Sequence, residues 1–260
     1  MTSSPNSHDA PEAGKVTTVL QARDVTAGYG SEPVIHNVSL EVRPGEIVAL
    51  LGANGAGKTT TLLALSGELP TMAGEIRLHD EPTSAPLFRR AREGLAFVTE
   101  ERSVFMGLTT RQNLKIADVP MDRAMALFPE LEKRIDVKGG ELSGGEQQML
   151  SVARALCREP KVLLADELSL GLAPLIVKRL LEAVRSAADN QGTGVLLVEQ
   201  HVQQALRFAD RAFVLQRGRI VLEGTSADML DRIDEIEANY LASGVQDESD
   251  QAPNVQKEGE

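Results

Sequence analysis

A glycine-rich segment directly after an apolar run carries the pattern of a phosphate-binding loop. The run Glu46–Leu51 (EIVALL) is followed by GANGAGKTT and then by a helical stretch, the order that the pattern G-x-x-x-x-G-K-[ST] requires. The glycines let backbone N–H groups converge on phosphate oxygens, and the helix start adds partial positive charge. We predict that Lys58 contacts the β- and γ-phosphates of a nucleotide and that the Thr59 hydroxyl coordinates Mg²⁺. The predicted nucleotide-binding residues of this loop are Gly52, Ala53, Asn54, Gly55, Ala56, Gly57, Lys58, Thr59 and Thr60.

Two adjacent acids, Asp166 and Glu167, follow the apolar run Val162–Ala165. Open α/β sheets bind ligands at the carboxyl ends of their strands. Asp166 suits the outer sphere of Mg²⁺, which usually keeps several waters, and Glu167 suits a general base that polarises an attacking water. An acidic cap on the following segment, Ser169–Gly171, would also explain the pair taken alone. The phosphate-loop pattern upstream favours the chemical role.

A third segment, Leu142–Gln148 (LSGGEQQ), precedes a run of helical character that extends to about Arg158. Ser143 can cap the start of that helix, and the two glycines after it let backbone amides approach an anion closely. A capped helix start without any ligand is the alternative explanation.

The segments that must position these residues alternate between strand-like and helical runs, as in an α/β domain. Three runs are apolar almost throughout, as burial on both faces of a parallel sheet requires. They are Glu46–Leu51, Lys161–Asp166 and Gly194–Glu199. The phosphate loop follows the first run and the acid pair ends the second.

Other runs predict the rest of the architecture. An antiparallel sheet near the N-terminus is predicted from runs of more alternating polarity, Val19–Val25, Val38–Val42 and Glu75–Leu78. A late hairpin would join Arg211–Gln216 to Arg219–Leu222. The stretch from about Phe105 to Ala155 is helical, with Pro120 and Pro129 as interruptions. We predict an α/β fold with a P-loop NTPase core, an N-terminal antiparallel β-subdomain and an inserted helical subdomain.

Composition limits the possible classes of function. A chain of 260 residues with 42% hydrophobic and 25% charged residues suits one globular domain with a small insert. A net charge of −11 and 3% aromatic residues offer neither a basic surface nor stacking platforms, so we expect no nucleic-acid partner. The single cysteine, Cys157, excludes an internal disulfide and fits a reducing compartment.

The ends of the chain differ from its body. The N-terminal stretch lacks the basic start and apolar run of a secretion signal, and no run approaches about 18 consecutive apolar residues. We therefore expect a cytoplasmic chain that reaches a membrane only through a partner. Composition predicts a disordered lead over residues 1–17, a folded domain over 18–242 and an acidic disordered tail over 243–260.

Taken together, the phosphate loop, the acid pair and LSGGEQQ resemble the ABC ATPase family, whose signature is an L-S-G-G-Q-like segment. The resemblance covers about Leu20 to Ala242 and implies a helical subdomain over about residues 103–157. In the family, the signature segment, here Leu142–Gln148, covers the γ-phosphate of ATP held by the opposite subunit. The resemblance thus implies ATP hydrolysis in a dimer with a second ABC ATPase subunit, identical or different. The implied contacts of the signature segment are Ser143, Gly144, Gly145 and Glu146.

The resemblance places further positions. Tyr29 matches the aromatic residue that stacks on adenine, and Ser169–Leu172 matches a loop that contacts the partner subunit. Glu100 stands where the family has a glutamine that touches Mg²⁺ and senses the membrane partner. By spacing to the later hairpin, Gln200 stands at the switch histidine and His201 lies one residue later, so either can be the switch. The implied catalytic residues are Lys58, Glu167 and Gln200, and the implied metal ligands are Thr59, Glu100 and Asp166.

Several segments resemble one branch, the ATPase subunits of branched-chain amino acid importers and their urea or amide relatives. These segments are SLGLAP at Ser169–Pro174, LVEQ at Leu197–Gln200 and GEQQML at Gly145–Leu150. Thr99, Glu101 and Leu168 depart from that branch, and the helical subdomain is shorter than usual between Leu114 and Glu141. The branch implies integral membrane permeases as partners, an indirect substrate-binding protein, and a peripheral location on the inner face of the plasma membrane.

Alternative functions remain open from the sequence. A nucleotide-gated regulatory ABC subunit with weak hydrolysis is favoured by Gln200 and opposed by Glu167. An ABC ATPase for another cargo is also compatible with the motifs. A soluble ABC protein of translation or DNA repair usually carries two ATPase cassettes, whereas this chain has one and lacks a basic patch.

Overall fold

Ten strands form two sheets in the part of the chain that the computed structural model describes, residues 18–236. The strands are β1 (Leu20–Tyr29), β2 (Glu32–Val42), β3 (Ile47–Leu51), β4 (Thr71–Leu78), β5 (Glu81–Pro82), β6 (Leu95–Val98), β7 (Val162–Asp166), β8 (Gly194–Glu199), β9 (Arg211–Gln216) and β10 (Arg219–Thr225). One sheet has the order β2-β1-β4-β5 and the other has the order β10-β9-β3-β8-β7-β6.

Helices connect and cover these strands. They are α1 (Lys58–Ser66), α2 (Leu87–Arg92), α3 (Thr110–Ile116), α4 (Met121–Leu127), α5 (Gly144–Leu156), α6 (Pro174–Gln191), α7 (Val202–Phe208) and α8 (Ser226–Asp231), with 3-10 helices at Pro129–Arg134 and Gly139–Glu141. The helices between α3 and α5 are short. Pro120 lies directly before α4 and Pro129 lies two residues after its end, at the start of a 3-10 helix, so α4 has only seven residues. Both prolines interrupt the helical middle of the chain, as predicted.

The larger sheet has a parallel centre, because β6, β7, β8, β3 and β9 run in the same direction. Every residue of β3, β7 and β8 is buried, as their apolar sequences predict. In the register, Leu51 lies opposite Glu199, and Asp166 lies opposite Val198. The segments that follow β3, β7 and β8 therefore meet at one edge of the sheet.

The smaller sheet is antiparallel, since β1 pairs with both β2 and β4 in that sense. Its inner side chains and α1 pack against one face of the parallel strands, for example Leu20, Leu62 and Leu164. The other face packs against α5 and α6, for example Leu163 with Leu150. Full burial of one leucine contributes about 1.5–3 kcal/mol, so these two clusters hold the layers around the parallel sheet.

Several boundaries differ from the sequence predictions. In the antiparallel sheet, β1 extends to Tyr29 rather than Val25, β2 begins at Glu32 rather than Val38, and β4 begins at Thr71 rather than Glu75. Helix α1 begins at Lys58 rather than Thr61, and β10 extends to Thr225 rather than Leu222. Helix α5 ends at Leu156, with Cys157 as its cap, slightly before the predicted end near Arg158. Strand β6 and helix α2 were not predicted, because both are short.

A buried arginine holds the far end of α1. Arg90, on α2, donates from Nη1 to the carbonyl oxygens of Leu65 at 2.6 Å and Ala64 at 3.3 Å, and from Nε to that of Ala85 at 2.7 Å. The last carbonyls of a helix lack partners within it, and a cation there suits the helix dipole. These bonds fix the C-terminus of α1. Its N-terminus lies at the other end, after the loop that follows β3.

The predicted lead (1–17) and tail (243–260) lie outside the described residues, as does the last part of the predicted domain, 237–242. Within residues 18–236, no helix combines the length and apolar character needed to cross a membrane.

Candidate functional site

The predicted phosphate loop runs from the end of β3 to the start of α1. Gly57 caps α1 with a φ of 105°, a left-handed conformation that side chains rarely adopt. A Cβ at Gly57 would also lie 2.8 Å from Cγ2 of Ile35. The loop therefore needs glycine here in order to reach α1, whose N-terminal N–H groups form an anion-binding position.

Lys58 lies under this loop and is almost fully buried. Its Nζ donates to the carbonyl oxygens of Gly52 at 2.8 Å and Ala53 at 3.2 Å, and it lies 3.9 Å from Oε1 of Glu167. Burial lowers the pKa of Lys58 below its ordinary value, while the charges of Glu167 and Asp166 act in the opposite direction. The ammonium group is held by the loop's own carbonyls at the position where a phosphate would compete for it.

Asp166 ends β7 beside Thr59. Its Oδ2 accepts the Thr59 hydroxyl at 3.1 Å, and its Oδ1 is buried without a hydrogen-bond partner among the described residues. The pKa of Asp166 is raised to about 6, chiefly by burial; the charges of Glu167 and Glu100 act in the same direction, and the Thr59 bond and Lys58 act against it. A divalent cation would satisfy the unpartnered oxygen and favour the ionised carboxylate, so these residues fit Mg²⁺.

Glu167 is held by the end of β8. Its backbone N–H donates to the Val198 oxygen at 3.0 Å, and Nε2 of Gln200 donates to both Glu167 carboxylate oxygens at 2.8 Å. Glu167 has a φ of 48°, and strained backbone of this kind clusters at functional sites. His201 is exposed at the start of α7, so Gln200 is the residue of the two that contacts the predicted base.

Lys58, Thr59, Glu167 and Gln200 line one open cavity of about 560 Å³ at the edge of the larger sheet. Residues from five segments line it, among them Asn54, Lys58, Thr59, Glu100, Glu167 and Gln200. Glu100, in the loop after β6, adds a third carboxylate near the Asp166–Glu167 pair. The arrangement can bind polyphosphate through the loop and Lys58, hold a cation on the acid side, and activate water at Glu167.

The predicted residues of the signature segment lie elsewhere. Ser143 caps α5: its Oγ accepts the Glu146 N–H at 3.3 Å, and Oε2 of Glu146 accepts the Ser143 N–H at 2.8 Å. Nε of Arg134 donates to Oε1 of Glu146 at 2.7 Å. Burial raises the pKa of Glu146, but the bonds from Arg134 and Ser143 lower it overall. None of Ser143–Glu146 lines the cavity that contains Lys58.

Tyr29, the predicted adenine platform, ends β1 with 56% of its surface exposed. An aromatic ring left this open is available for stacking on a ligand. The structure thus brings the loop, Glu100, Glu167 and Gln200 to one cavity, with Asp166 bonded to Thr59 beside it. Tyr29 and the signature segment do not line that cavity.

Sequence reasoning missed Glu199, the last residue of β8, which is only 2% exposed. Burial raises its pKa to about 7; bonds from Ser169 lower it, and the charges of Glu167 and Asp166 raise it. An acid at the end of an otherwise apolar run was the available signal, since buried carboxyls are rare without partners.

Comparison with known proteins, like the geometry of the site, indicates an ATP-binding protein. The family model for ABC transporters matches residues 35–169. The branched-chain amino acid transport ATP-binding protein BraG of Pseudomonas aeruginosa is 44% identical over 222 residues, which cover 82% of this chain and 95% of that protein. The lipopolysaccharide export ATP-binding protein LptB of Escherichia coli is 37% identical, over 81% of this chain and 92% of that protein.

Among solved structures, the dimeric bacterial ABC transporter cassette MJ0796 matches with a TM-score of 0.72 and 25% identity, over 80% of this chain and 98% of that one. The family match, the two relatives and this fold confirm the resemblance and the predicted fold class. The chain therefore belongs to the ABC transporter family, as an ATP-binding subunit with ATPase activity.

Proposed function

We propose that this subunit powers the uptake of branched-chain amino acids or related small polar solutes, as one half of an ATP-sandwich dimer docked to membrane permeases. The similarity to BraG and the segments SLGLAP, LVEQ and GEQQML support this cargo class. The similarity to LptB supports another cargo as the alternative. The observation that carries the proposal is the cavity lined by Lys58, Glu167 and Gln200, with Asp166 bonded to Thr59 beside it.

Hydrolysis in this cavity would depend mainly on positioning and charge. Lys58 and the loop N–H groups bind the β- and γ-phosphates, and Tyr29 stacks on the adenine. Thr59, Asp166 and Glu100 would hold Mg²⁺, which offsets negative charge on the phosphate oxygens. Glu167 accepts the proton of the attacking water, and the amide of Gln200 holds both of its carboxylate oxygens in place.

A second subunit would complete each site. The amides at Ser143–Gly145 begin α5, yet they lie outside the chain's own cavity. Such amides favour an anion, so the signature segment of one subunit would cover the γ-phosphate bound to the other. Each chain then contributes one phosphate loop and one signature segment to a dimer with two complete sites.

A groove of about 710 Å³ beside β6 is the proposed contact with a permease. Phe88 on α2 and Ile116 on α3 are both 59% exposed at its border, and Arg154 and Arg158 also line it. The groove reaches Ser103, close in sequence to Glu100, so a permease segment there could affect the cavity. We propose that this contact keeps the subunit at the inner face of the plasma membrane.

We expect Gln200→Ala to slow ATP turnover by about tenfold while leaving ATP affinity unchanged, because it removes contacts to Glu167 and the reacting groups only. Gln200→His should stay active, since a neutral imidazole can donate the same hydrogen bond. Steady-state turnover and binding of a fluorescent ATP analogue measure these effects. His201→Ala is the matched control and should retain turnover, because His201 is exposed; loss of turnover in that variant alone would make His201 the switch.

The cargo is tested by transport. In cells that lack this gene and other branched-chain transporters, restoring the gene together with its permease partners should restore uptake of radiolabelled leucine, and the Glu167→Gln variant should not. Intact ATP turnover together with no uptake of leucine, urea or amides would reject the proposed cargo. Turnover that stays near zero even with the permeases would instead favour the regulatory subunit.

A further inference from the structure

The buried carboxylate of Glu199 has no part in the mechanism above, yet it makes two specific bonds. Its Oε1 accepts the backbone N–H of Ser169 at 3.2 Å, and its Oε2 accepts the Ser169 hydroxyl at 2.5 Å. Ser169 is itself buried. A buried carboxyl is unfavourable unless its oxygens are paired, and an apolar side chain would fill this place without that penalty. The bonds to Ser169 therefore account for an acid at this position.

These bonds are part of a set of hydrogen bonds that joins the end of β8 to the loop after β7. At the end of β8, the Val198 oxygen accepts the Glu167 N–H and Glu199 accepts two bonds from Ser169, and Gln200, the residue after the strand, donates to the Glu167 carboxylate. The loop is held to the end of β8 at two points, the backbone N–H of Glu167 and, two residues later, Ser169. Glu199 makes the second of these attachments.

The same loop continues into the surface that faces away from the core. Leu170 is 44% exposed and lines the cavity, and the Leu170 N–H donates to the Glu167 oxygen at 3.2 Å. Gly171 follows with a φ of 69° and open space around it. A displacement of Ser169 would therefore reach Glu167 through this turn.

We propose that Glu199 is a positioning residue for ATP hydrolysis: by holding Ser169 it fixes the loop that carries Glu167, so that this base stays aligned with Gln200. This inference rests on the proposed role of Glu167. Glu199 is buried and does not line the cavity, so it should act on the rate of the chemical step and leave nucleotide binding unchanged.

The test compares Glu199→Leu with Glu199→Gln. Leucine removes both acceptors, and we expect kcat to fall about tenfold, the effect of one lost hydrogen-bonded pair, with KM for ATP within twofold of the wild type. Glutamine keeps an oxygen for the Ser169 N–H and an amide that can donate to the Ser169 hydroxyl, so it should restore most of kcat. Ser169→Ala removes only the hydroxyl partner of Glu199 and should also lower kcat. This variant keeps the test available if Glu199→Leu fails to fold.

Thr193→Val is the matched structural control, since it removes a buried bond of 2.7 Å to the Pro160 oxygen at the opposite end of β8. It should lower the thermal unfolding midpoint and leave kcat unchanged. A kcat of Glu199→Leu equal to that of the wild type, or a loss of kcat in Thr193→Val of the same size, would overturn the proposal.

A double-mutant cycle between Glu199→Leu and Gln200→Ala provides the second readout. If both residues act on Glu167, their effects on kcat should be smaller together than the product of the two single effects. Independent, multiplicative effects would contradict the inference. Failure of the proposed role of Glu167 is distinguishable, because turnover would then be the same in Glu167→Gln as in the wild type, and failure of the proposed cargo would show as intact turnover without uptake.

Discussion

ATP binding should be abolished, or nearly so, when Lys58 is replaced by alanine. Lys58 is the cation under the phosphate loop, and its removal leaves the charges of Asp166 and Glu167 facing the incoming phosphates. One buried charge-assisted contact contributes up to about 3 kcal/mol, which corresponds to an affinity lower by about a hundredfold before the added repulsion is counted.

Isothermal titration with a non-hydrolysable ATP analogue measures this effect. Lys178→Ala is a suitable control, because Lys178 is exposed on α6 and pairs only weakly with Glu182 at 3.8 Å. The control should bind ATP as the wild type does. Wild-type affinity in Lys58→Ala would mean that this loop does not hold the nucleotide.

Replacement of Glu167 by glutamine should preserve ATP binding and lower turnover by about a hundredfold or more, the range attributed to a positioned general base. Glutamine has the same shape and keeps an oxygen for the Gln200 amide, but it cannot accept the proton of the attacking water. ATP then remains in place, and the closed dimer that it holds together should accumulate.

Size-exclusion chromatography with ATP and Mg²⁺ detects that dimer, and the same variant without nucleotide is the reference for the separated subunits. Glu182→Gln, on the exposed surface of α6, changes charge equally and should elute and turn over as the wild type does. An unchanged elution volume together with full turnover in Glu167→Gln would show that another group is the base.

Local motifs accounted for the parts of the site that are continuous in sequence. The phosphate loop depends on glycines and a lysine at fixed spacing, and the apolar runs before it and before Asp166 predicted two buried parallel strands. The position of the site, at the carboxyl ends of these strands, was predicted from the general rule for open α/β sheets. For these elements, local sequence and tertiary structure agree.

Contacts between distant segments could not be predicted. The bond from Gln200 to Glu167 depends on the pairing of β7 with β8, and spacing alone favoured Gln200 but left His201 open as the switch. The pairing of Glu199 with Ser169 arises in the same way, because nothing local indicates which residue satisfies a buried acid. Strand β6 has only four residues and no alternation, so its position beside β7 is set by tertiary packing.

In the proposed dimer Ser143–Gly145 of one chain complete the site of the other, since they lie outside the cavity that contains their own Lys58, and we therefore expect the reaction order of turnover to differ between the free and the assembled subunit. Free chains would have to collide before either site is complete, so their initial rate should rise with the square of protein concentration at high dilution. Two copies tethered on permeases experience a high local concentration of each other, and their rate becomes first order in the complex. Tethering alone would therefore keep ATP consumption low in unassembled chains and high in assembled ones.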